Sequence, residues 1–198
     1  MKSATICHST MSDPTEYSIE EFATDVLSVM ADTDEEEAIL SAVAPLARKV
    51  AAQKAWRTED MLIADPEVGF GSTLLHAESD NSLFVVVDSW LPGRGVRPHD
   101  HGTWAVVVGV TGPEENTFWE RTDDGSVEGH AQLRVITSKT ISAGDVVAMK
   151  TGEIHSVQND TDETTLSFHV YGRHLNFTGR SQFDTDNERE IPFLIETR

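Results

Sequence analysis

Eight histidines occur in this chain of 198 residues, and three of them lie where a fold could bring them together. His99 and His101 are two residues apart in the segment GVRPHDHGTW, and His155 follows a glycine turn in GDVVAMKTGEIHSVQN. If the first two lie on one strand, their side chains point to the same face, and a barrel can place His155 opposite them. Because neutral imidazole nitrogen binds Fe, Zn, Ni and Cu, the three histidines predict a metal site.

A second polar group lies downstream, in the segment TTLSFHVY. On a strand, Ser167, His169 and Tyr171 share one face, while Phe168 and Val170 point the other way. Polar side chains inside a barrel need partners, and a hydroxyl, an imidazole and a phenol can satisfy one another. The alternatives are an internal network without chemistry and a strand whose polar face meets solvent.

A run of short strands must position these side chains. From about residue 70, segments rich in β-branched and aromatic residues alternate with turn residues such as Asp123-Asp124-Gly125. The pattern predicts strands near 72–78, 83–91, 103–111, 116–121, 130–139, 145–150, 154–159, 164–171 and 192–196. Many short strands with no helices between them indicate an antiparallel barrel or jelly roll, an all-β fold.

The segment from about 18 to 56 has the 3.6-residue rhythm of amphipathic helices. Ser18 and Glu21 form a capping-box sequence at its start. Asp34 is predicted to cap a second helix, and Pro45 within that helix predicts a kink or a restart. These helices need an apolar surface to pack against, and the strands supply one.

The simplest organisation is one domain. Residues 1–17 are polar and are predicted to be a disordered or loosely packed tail. Residues 18–198 then form a single domain, with N-terminal helices in 18–66 and a β-barrel in 70–198. The oligomeric state stays open between a monomer and a homo-oligomer.

Charge and cysteine content narrow the classes of partner. A formal net charge of −19 disfavours nucleic acid and anionic membrane surfaces. The one cysteine, Cys7, permits no intramolecular disulfide, which fits a reducing compartment. No apolar run approaches a membrane span or a signal peptide, so we expect a cytoplasmic protein.

Two motifs give the chain a family resemblance. The sequence PHDHGTW resembles the first cupin motif, and GDVVAMKTGEIHSVQN resembles the second. Typical cupins add a glutamate four or five residues after the second histidine, where this chain has Ala105 and Val106. A three-histidine site without a carboxylate is similar to the thiol dioxygenases, and the Ser-x-His-x-Tyr order matches that family too. The resemblance covers roughly 70–185 and is strongest to bacterial 3-mercaptopropionate dioxygenases, relatives of type I cysteine dioxygenase.

That resemblance implies a double-stranded β-helix and one Fe(II) per chain, held by His99, His101 and His155. It also implies that Tyr171 lies beside the iron as a catalytic residue, oriented by His169 and Ser167. The expected reaction takes a small thiol and O2 to a sulfinic acid, with the thiol bound as thiolate.

The family also implies where the substrate binds. Arg180, nine residues after Tyr171, resembles the arginine that pairs with the substrate carboxylate, a task that suits a planar guanidinium. Arg173 and Arg94 are rival candidates for this contact, and Trp104 also resembles a substrate-site residue. The barrel segment has no cysteine, so we predict no thioether crosslink to tyrosine and favour 3-mercaptopropionate over cysteine.

Three alternatives stay open at this point. Three-histidine cupins also cleave carbon–carbon bonds in diketones and aromatic acids. The chain can instead be a cupin that binds a metal or small ligand without turnover, or a zinc or manganese isomerase. Fold alone does not choose among them.

Overall fold

The computed structural model describes residues 16–198, which form two α-helices followed by eleven β-strands. The helices are α1 (Ile19–Asp32) and α2 (Glu36–Ala51). The strands are β1 (Phe70–Ala77), β2 (Phe84–Trp90), β3 (Gly95–His99), β4 (Ala105–Thr111), β5 (Glu114–Arg121), β6 (Leu133–Ile141), β7 (Val146–Met149), β8 (Ile154–Gln158), β9 (Thr165–Tyr171), β10 (Ser181–Asp184) and β11 (Arg189–Pro192). Most of the predicted tail, residues 1–15, lies outside the described part of the chain.

The strands form two antiparallel sheets that enclose an interior. One sheet has the order β1-β2-β9-β4-β7, and the other has the order β11-β10-β3-β8-β5-β6. Apolar residues of both, including Phe84, Val107 and Ile141, meet in one buried cluster. This is the double-stranded β-helix, or jelly roll, with helices packed on it, so the predicted fold class is confirmed.

The two helices cover the outer face of the first sheet. At the start of α1 the predicted capping box is present, because Ser18 Oγ accepts from the Glu21 N–H and Glu21 Oε2 accepts from the Ser18 N–H. The ring of Phe22 packs edge-on against Phe168 of β9, with 5.5 Å between ring centroids. Tyr17, assigned above to the tail, is buried in the same cluster and donates to Asp25.

The start of α2 differs from prediction, and of the two outcomes predicted at its proline the structure excludes a restart. Glu35, not Asp34, is the N-cap residue, and its side chain makes no capping hydrogen bond. Instead the N–H of Glu35 donates to Thr33 Oγ1, 3.1 Å away. The helix runs through Pro45 without a restart, because Pro45 is exposed and water can replace the missing hydrogen bond there.

Strand β9 divides its side chains between two environments. Phe168 and Val170 belong to the cluster under the helices. Tyr171 belongs to the interior cluster between the sheets, and Ser167 and His169 lie on the same side of the strand. Nothing in this strand is exposed, so the polar face predicted from the alternation is inside the barrel.

Several strands differ from the sequence pattern. The pattern missed β3, which contains Gly95 and Pro98, both poor strand formers. It also missed the short polar strand β10, and it placed a terminal strand at 192–196 where β11 ends at Pro192. Within residues 16–198, no helix combines the length and apolar character needed to cross a bilayer.

Candidate metal centre

Three buried imidazoles meet inside the barrel. His99 ends β3 and pairs across the sheet with His155 of β8. His101 follows in the loop, so the two nearby histidines do not share one strand as the sequence pattern predicts. The chain turns at Gly102, whose φ of 61° lies in the left-handed region that favours glycine, and this turn leaves His101 facing the other two. One nitrogen from each ring lies within 4.8 Å of the others.

Hydrogen bonds fix which nitrogen of two rings faces the centre. His99 Nδ1 lies 2.9 Å from the Arg97 carbonyl, and His155 Nδ1 lies 3.0 Å from Asn116 Oδ1. Each Nδ1 therefore carries the proton, which leaves Nε2 with a free lone pair. His155 Nε2 lies 3.3 Å from His101 Nε2, a spacing at which both can bind one cation.

Burial keeps these rings neutral, which is the form that binds metals. Burial, together with the smaller effects of nearby His169 and Arg180, lowers the pKa of His155 to about 3. Burial also holds the pKa values of His99 and His101 well below the usual range, and the neighbouring His155 is the second largest cause. Among residues 16–198, no carboxylate joins the group. This donor set suits a single Fe, Zn, Ni or Cu ion.

A hydrogen-bonded chain approaches the three histidines along β9. The ring of Tyr171 lies against that of His101, with 5.1 Å between ring centroids. The Tyr171 hydroxyl lies 2.9 Å from His169 Nδ1, and His169 Nε2 lies 2.9 Å from Ser167 Oγ. The indole N–H of Trp90 donates to that same Ser167 oxygen at 3.0 Å. The structure thus joins all three residues predicted on β9 by hydrogen bonds, and this series ends beside the three-histidine cluster.

The interior also holds polar residues that sequence reasoning missed: Ser72, Asp88, Glu114, Asn116 and Thr165. Asp88 lies on β2, where every residue is buried, so no alternation marks it as inward-facing. The strand register shows that Asp88 faces inward, since Asp88 pairs with Ser167 of β9. Burial raises the pKa of both Asp88 and Glu114 to about 7.

Arg180 is the arginine that enters the site. It is buried, its Nε donates to the Phe193 carbonyl at 3.1 Å, and its guanidinium lies 4.0 Å from the centre of the Phe193 ring. Its Nη2 is buried and has no hydrogen-bond partner. The rivals lie elsewhere: Arg173 is exposed, and Arg94 is exposed and donates to two backbone carbonyls.

Trp104 lies on the opposite side of the sheet from the position predicted for it. Its side chain belongs to the cluster under the helices, not to the interior that contains Tyr171. The indole lies against Gly172, where any Cβ would clash with it. The sequence interpretation of Trp104 as a substrate contact is therefore corrected, because Ala105, not Trp104, faces inward at the start of β4.

A cavity of about 20 Å³ lies between the metal centre and the guanidinium, room for roughly one water molecule. The residues that line it are Phe70, Asp88, Trp90, Val96, His99, His155, Val157, His169, Tyr171, Leu175, Arg180, Phe193 and Ile195. Phe193 and Ile195 also line an outer groove of about 830 Å³. Phe70 of β1 and Val96 of β3 line both spaces as well, so these strands and the chain after β11 together form the wall between the centre and solvent.

A comparison with protein-family models finds no match. Among solved structures, a double-stranded β-helix protein of Klebsiella pneumoniae is 15% identical, with a TM-score of 0.45 over 67% of this chain and 99% of that one. An oxalate oxidase bound to the substrate analogue glycolate is 15% identical, with a TM-score of 0.45 over 62% of each chain. A cupin superfamily protein of Desulfitobacterium hafniense is 15% identical, with a TM-score of 0.41 over 60% of this chain and 94% of that one.

At this level of identity such likeness concerns the fold alone, and the chain spans less than two thirds of the oxalate oxidase. The functional argument therefore depends on the chain's own residues. What the sheets and the histidines establish is a double-stranded β-helix with a buried three-histidine cluster that could hold a metal ion.

Proposed function

We propose that this protein is a mononuclear non-haem Fe(II) dioxygenase that converts a small carboxylate-bearing thiol, 3-mercaptopropionate or cysteine, to its sulfinic acid with O2. One observation carries the proposal: one small cavity is lined by His99 and His155 of the three-histidine cluster, by Tyr171 and by Arg180, whose Nη2 has no hydrogen-bond partner. A metal, a hydrogen-bonding phenol and a carboxylate receptor are the parts that such a reaction needs.

His99, His101 and His155 would hold the iron. When bound, Fe(II) supplies the chemistry that activates O2 and a place for the thiolate sulfur. The hydrogen bonds from Nδ1 of His99 and His155 keep their Nε2 lone pairs directed at the ion. The three ligands carry no charge, so the thiolate would supply the negative charge that a carboxylate ligand gives to other sites.

Arg180 would orient the substrate. Its free Nη2 can donate to a carboxylate while its Nε remains bound to the Phe193 carbonyl. Phe193 also packs edge-on against His99, with 5.4 Å between ring centroids, which restricts water around the centre. Because the cavity has room for roughly one water molecule, the wall that includes Phe193 and Ile195 would have to move outward to admit the substrate. The substrate would then lie with its carboxylate at Arg180 and its sulfur at the histidines.

Tyr171 would contact the reacting end of the substrate. Burial raises the pKa of its hydroxyl well above the usual value, so the phenol stays protonated and available as a hydrogen-bond donor. His169 and Ser167 hold its orientation through two hydrogen bonds of 2.9 Å.

A second candidate is a three-histidine dioxygenase that cleaves a carbon–carbon bond in a diketone or aromatic acid. One feature favours it: Arg180 and Tyr171 recognise a carboxylate and an oxygen, and no residue of the cavity selects sulfur. A metal-binding cupin without turnover is the third possibility, because the donor set alone requires no reaction.

The test is oxygen consumption after anaerobic loading with Fe(II). The panel contains 3-mercaptopropionate, cysteine, cysteamine, a β-diketone and an aromatic hydroxy acid, with sulfinate measured directly. We expect O2 uptake with the carboxylate-bearing thiols, well above that of free iron, and one sulfinate per O2. Uptake with the diketone or aromatic acid alone would support the second candidate, and no uptake with any compound would contradict both.

A further inference from the structure

Asp88 is a buried carboxyl group without an assigned role in the proposed reaction. Its residue is 4% exposed, and it lies in register with Ser72 on one side and Ser167 on the other. The Ser72 hydroxyl donates to Asp88 Oδ1. Its other oxygen, Oδ2, lies 3.5 Å from His169 Nε2. Burying a carboxyl group is costly, and a single serine partner offsets little of that cost.

The hydrogen bonds that join Ser167, His169 and Tyr171 can be arranged in only two ways, which differ in the direction of donation. Trp90 Nε1 is only a donor, so Ser167 Oγ accepts its hydrogen bond. A neutral imidazole has one N–H, and both nitrogens of His169 have a partner at 2.9 Å. The proton of His169 therefore lies either on Nε2, toward Ser167 and Asp88, or on Nδ1, toward Tyr171.

The two directions give Tyr171 opposite roles. With the proton on Nε2, His169 Nδ1 accepts from the Tyr171 hydroxyl, whose oxygen then offers lone pairs to the cavity. With the proton on Nδ1, Tyr171 accepts from His169 and directs its own O–H into the cavity. A carboxylate 3.5 Å from Nε2 favours the first arrangement, and a protonated carboxyl favours the second.

We propose that Asp88 is a positioning residue that sets the tautomer of His169, and that it receives, through His169 and Tyr171, the proton that a thiol substrate loses. The second part rests on the proposed function. The substrate S–H bond breaks and its proton moves to the Tyr171 oxygen. The Tyr171 proton moves to His169 Nδ1, and the Nε2 proton moves to Asp88 Oδ2. The products are a thiolate, a protonated Asp88 and a Tyr171 whose O–H points at the substrate, with no change in oxidation state.

The surroundings of Asp88 suit a group that exchanges a proton near neutral pH. Burial raises its pKa to about 7, while the Ser72 hydroxyl and the Arg180 charge oppose that rise. His169 and Tyr171 face it from β9, Arg180 faces it from beyond β9, and Glu114 faces it from β5.

Glu114 is the rival carboxyl group. It is 2% exposed, its pKa is also raised to about 7 by burial, and its Oε1 has no hydrogen-bond partner. Ser167 lies close enough to lower that pKa and the charge of Asp88 raises it, but no contact joins Glu114 to the His169 imidazole. Asp88 contacts the imidazole itself, which is why we assign the role to Asp88.

The test follows the tautomer of His169 by ¹⁵N imidazole NMR in the full-length, metal-free chain. Burial lowers the pKa of His169 to about 3, so the ring stays neutral between about pH 5.5 and about pH 8.5, and a change there reports a neighbour. We expect the proton to shift from Nδ1 to Nε2 as pH rises, with a midpoint near that of Asp88. The His169→Gln variant identifies the signals.

Three variants decide which neighbour is responsible. Asp88→Asn should abolish the pH-dependent shift, while Glu114→Gln and the control Ser72→Ala should keep it, with at most a displaced midpoint. A shift that persists in Asp88→Asn, one that disappears in Glu114→Gln, or an unchanging tautomer in the unaltered chain would each overturn the proposal.

A kinetic measurement tests the proton transfer. If the thiol reaction occurs, Asp88→Asn should lower kcat/KM about 10²-fold and remove its rise with pH, and Asp88→Glu should restore part of it. An unchanged pH profile in Asp88→Asn would overturn the transfer step. The NMR result needs no turnover, so failure of the proposed function leaves the tautomer assignment separately testable.

Discussion

Under the proposed function, Arg180 is the residue that most restricts which substrates can bind. A buried guanidinium normally has its N–H groups satisfied, and Nη2 of Arg180 has no partner within the described chain. Burial lowers its pKa, while Tyr171, Asp88 and Asp100 act in the opposite direction. A guanidinium is so basic that it stays charged in proteins. A guanidinium that has a free N–H donor and lies beside the three-histidine cluster is complementary to a small carboxylate.

We predict that Arg180→Gln raises KM for 3-mercaptopropionate by about 10- to 100-fold, because one charge-assisted hydrogen bond contributes about 1.5–3 kcal/mol. The value of kcat should change less, since Arg180 does not touch the sulfur. Steady-state oxygen uptake measures both constants. Arg173→Gln is the matched control and should change neither, and an equal effect of the two variants would contradict the assignment.

The sequence predicted most residues of the candidate site, but it missed Asp88 and misplaced Trp104. Strand periodicity placed Ser167, His169 and Tyr171 on one face, as the structure does. Asp88 escaped because both faces of β2 are buried, so no hydrophobic alternation distinguishes inside from outside. Trp104 was assigned to the substrate site by family resemblance alone, and the chain enters β4 with Ala105, not Trp104, facing the interior.

Among the secondary-structure elements, strand β9 lies between the two helices and the three-histidine cluster. Its outer side chains, Phe168 and Val170, pack under α1 and α2, and its inner side chains form the polar chain. The helices therefore stabilise the sheet that positions Tyr171 without contributing a residue to the cavity.

For this reason we predict that Phe22→Ala lowers the free energy of unfolding by about 3–5 kcal/mol, the usual cost of deleting a buried phenylalanine ring. Urea denaturation measures this change, and Fe(II) stoichiometry at low temperature should stay the same. Ile63→Ala, at an exposed position, should change stability by less than about 0.5 kcal/mol. Loss of iron binding by Phe22→Ala without a loss of stability would contradict this division of roles.

The elements themselves were predictable where the pattern was long and regular. Both helices and the long strands of the first sheet match the sequence expectation closely. The short strands β3 and β10 were not found, because they contain proline, glycine or alternating polar residues and form only against neighbours distant in sequence. That omission hid the fact that His99 belongs to a strand while His101 belongs to a loop.

The whole molecule buries ionisable groups whose effects on stability have opposite signs. His155 and His169 have native pKa values of about 3, far below the value of about 6.5 for an unfolded histidine. Between these values the unfolded chain binds more protons, so the free energy of unfolding falls as pH falls. Asp88 and Glu114, with pKa values of about 7, act oppositely, and their contribution falls as pH rises from about 4 to about 7.

Four buried histidines outnumber the two buried acids, so we predict that the metal-free protein loses stability as pH falls from about 6 to about 4. The variant His169→Gln should flatten this slope by up to about 1.4 kcal/mol per pH unit, the effect of one proton. Urea denaturation at stepped pH provides the measurement, with His130→Gln as a control that leaves the slope unchanged. A slope unaffected by His169→Gln would show that the ring is not buried as a neutral group.

The most direct test of the account is anaerobic titration of the full-length chain with Fe(II), followed by metal analysis after gel filtration. The account predicts one Fe(II) per chain, with affinity reduced more than about 100-fold in His99→Gln and in His155→Gln. His76→Gln serves as the control, because His76 bonds to Glu78 outside the cavity and should leave binding intact. Undiminished binding in both His99→Gln and His155→Gln would contradict the claim that these imidazoles form a metal centre.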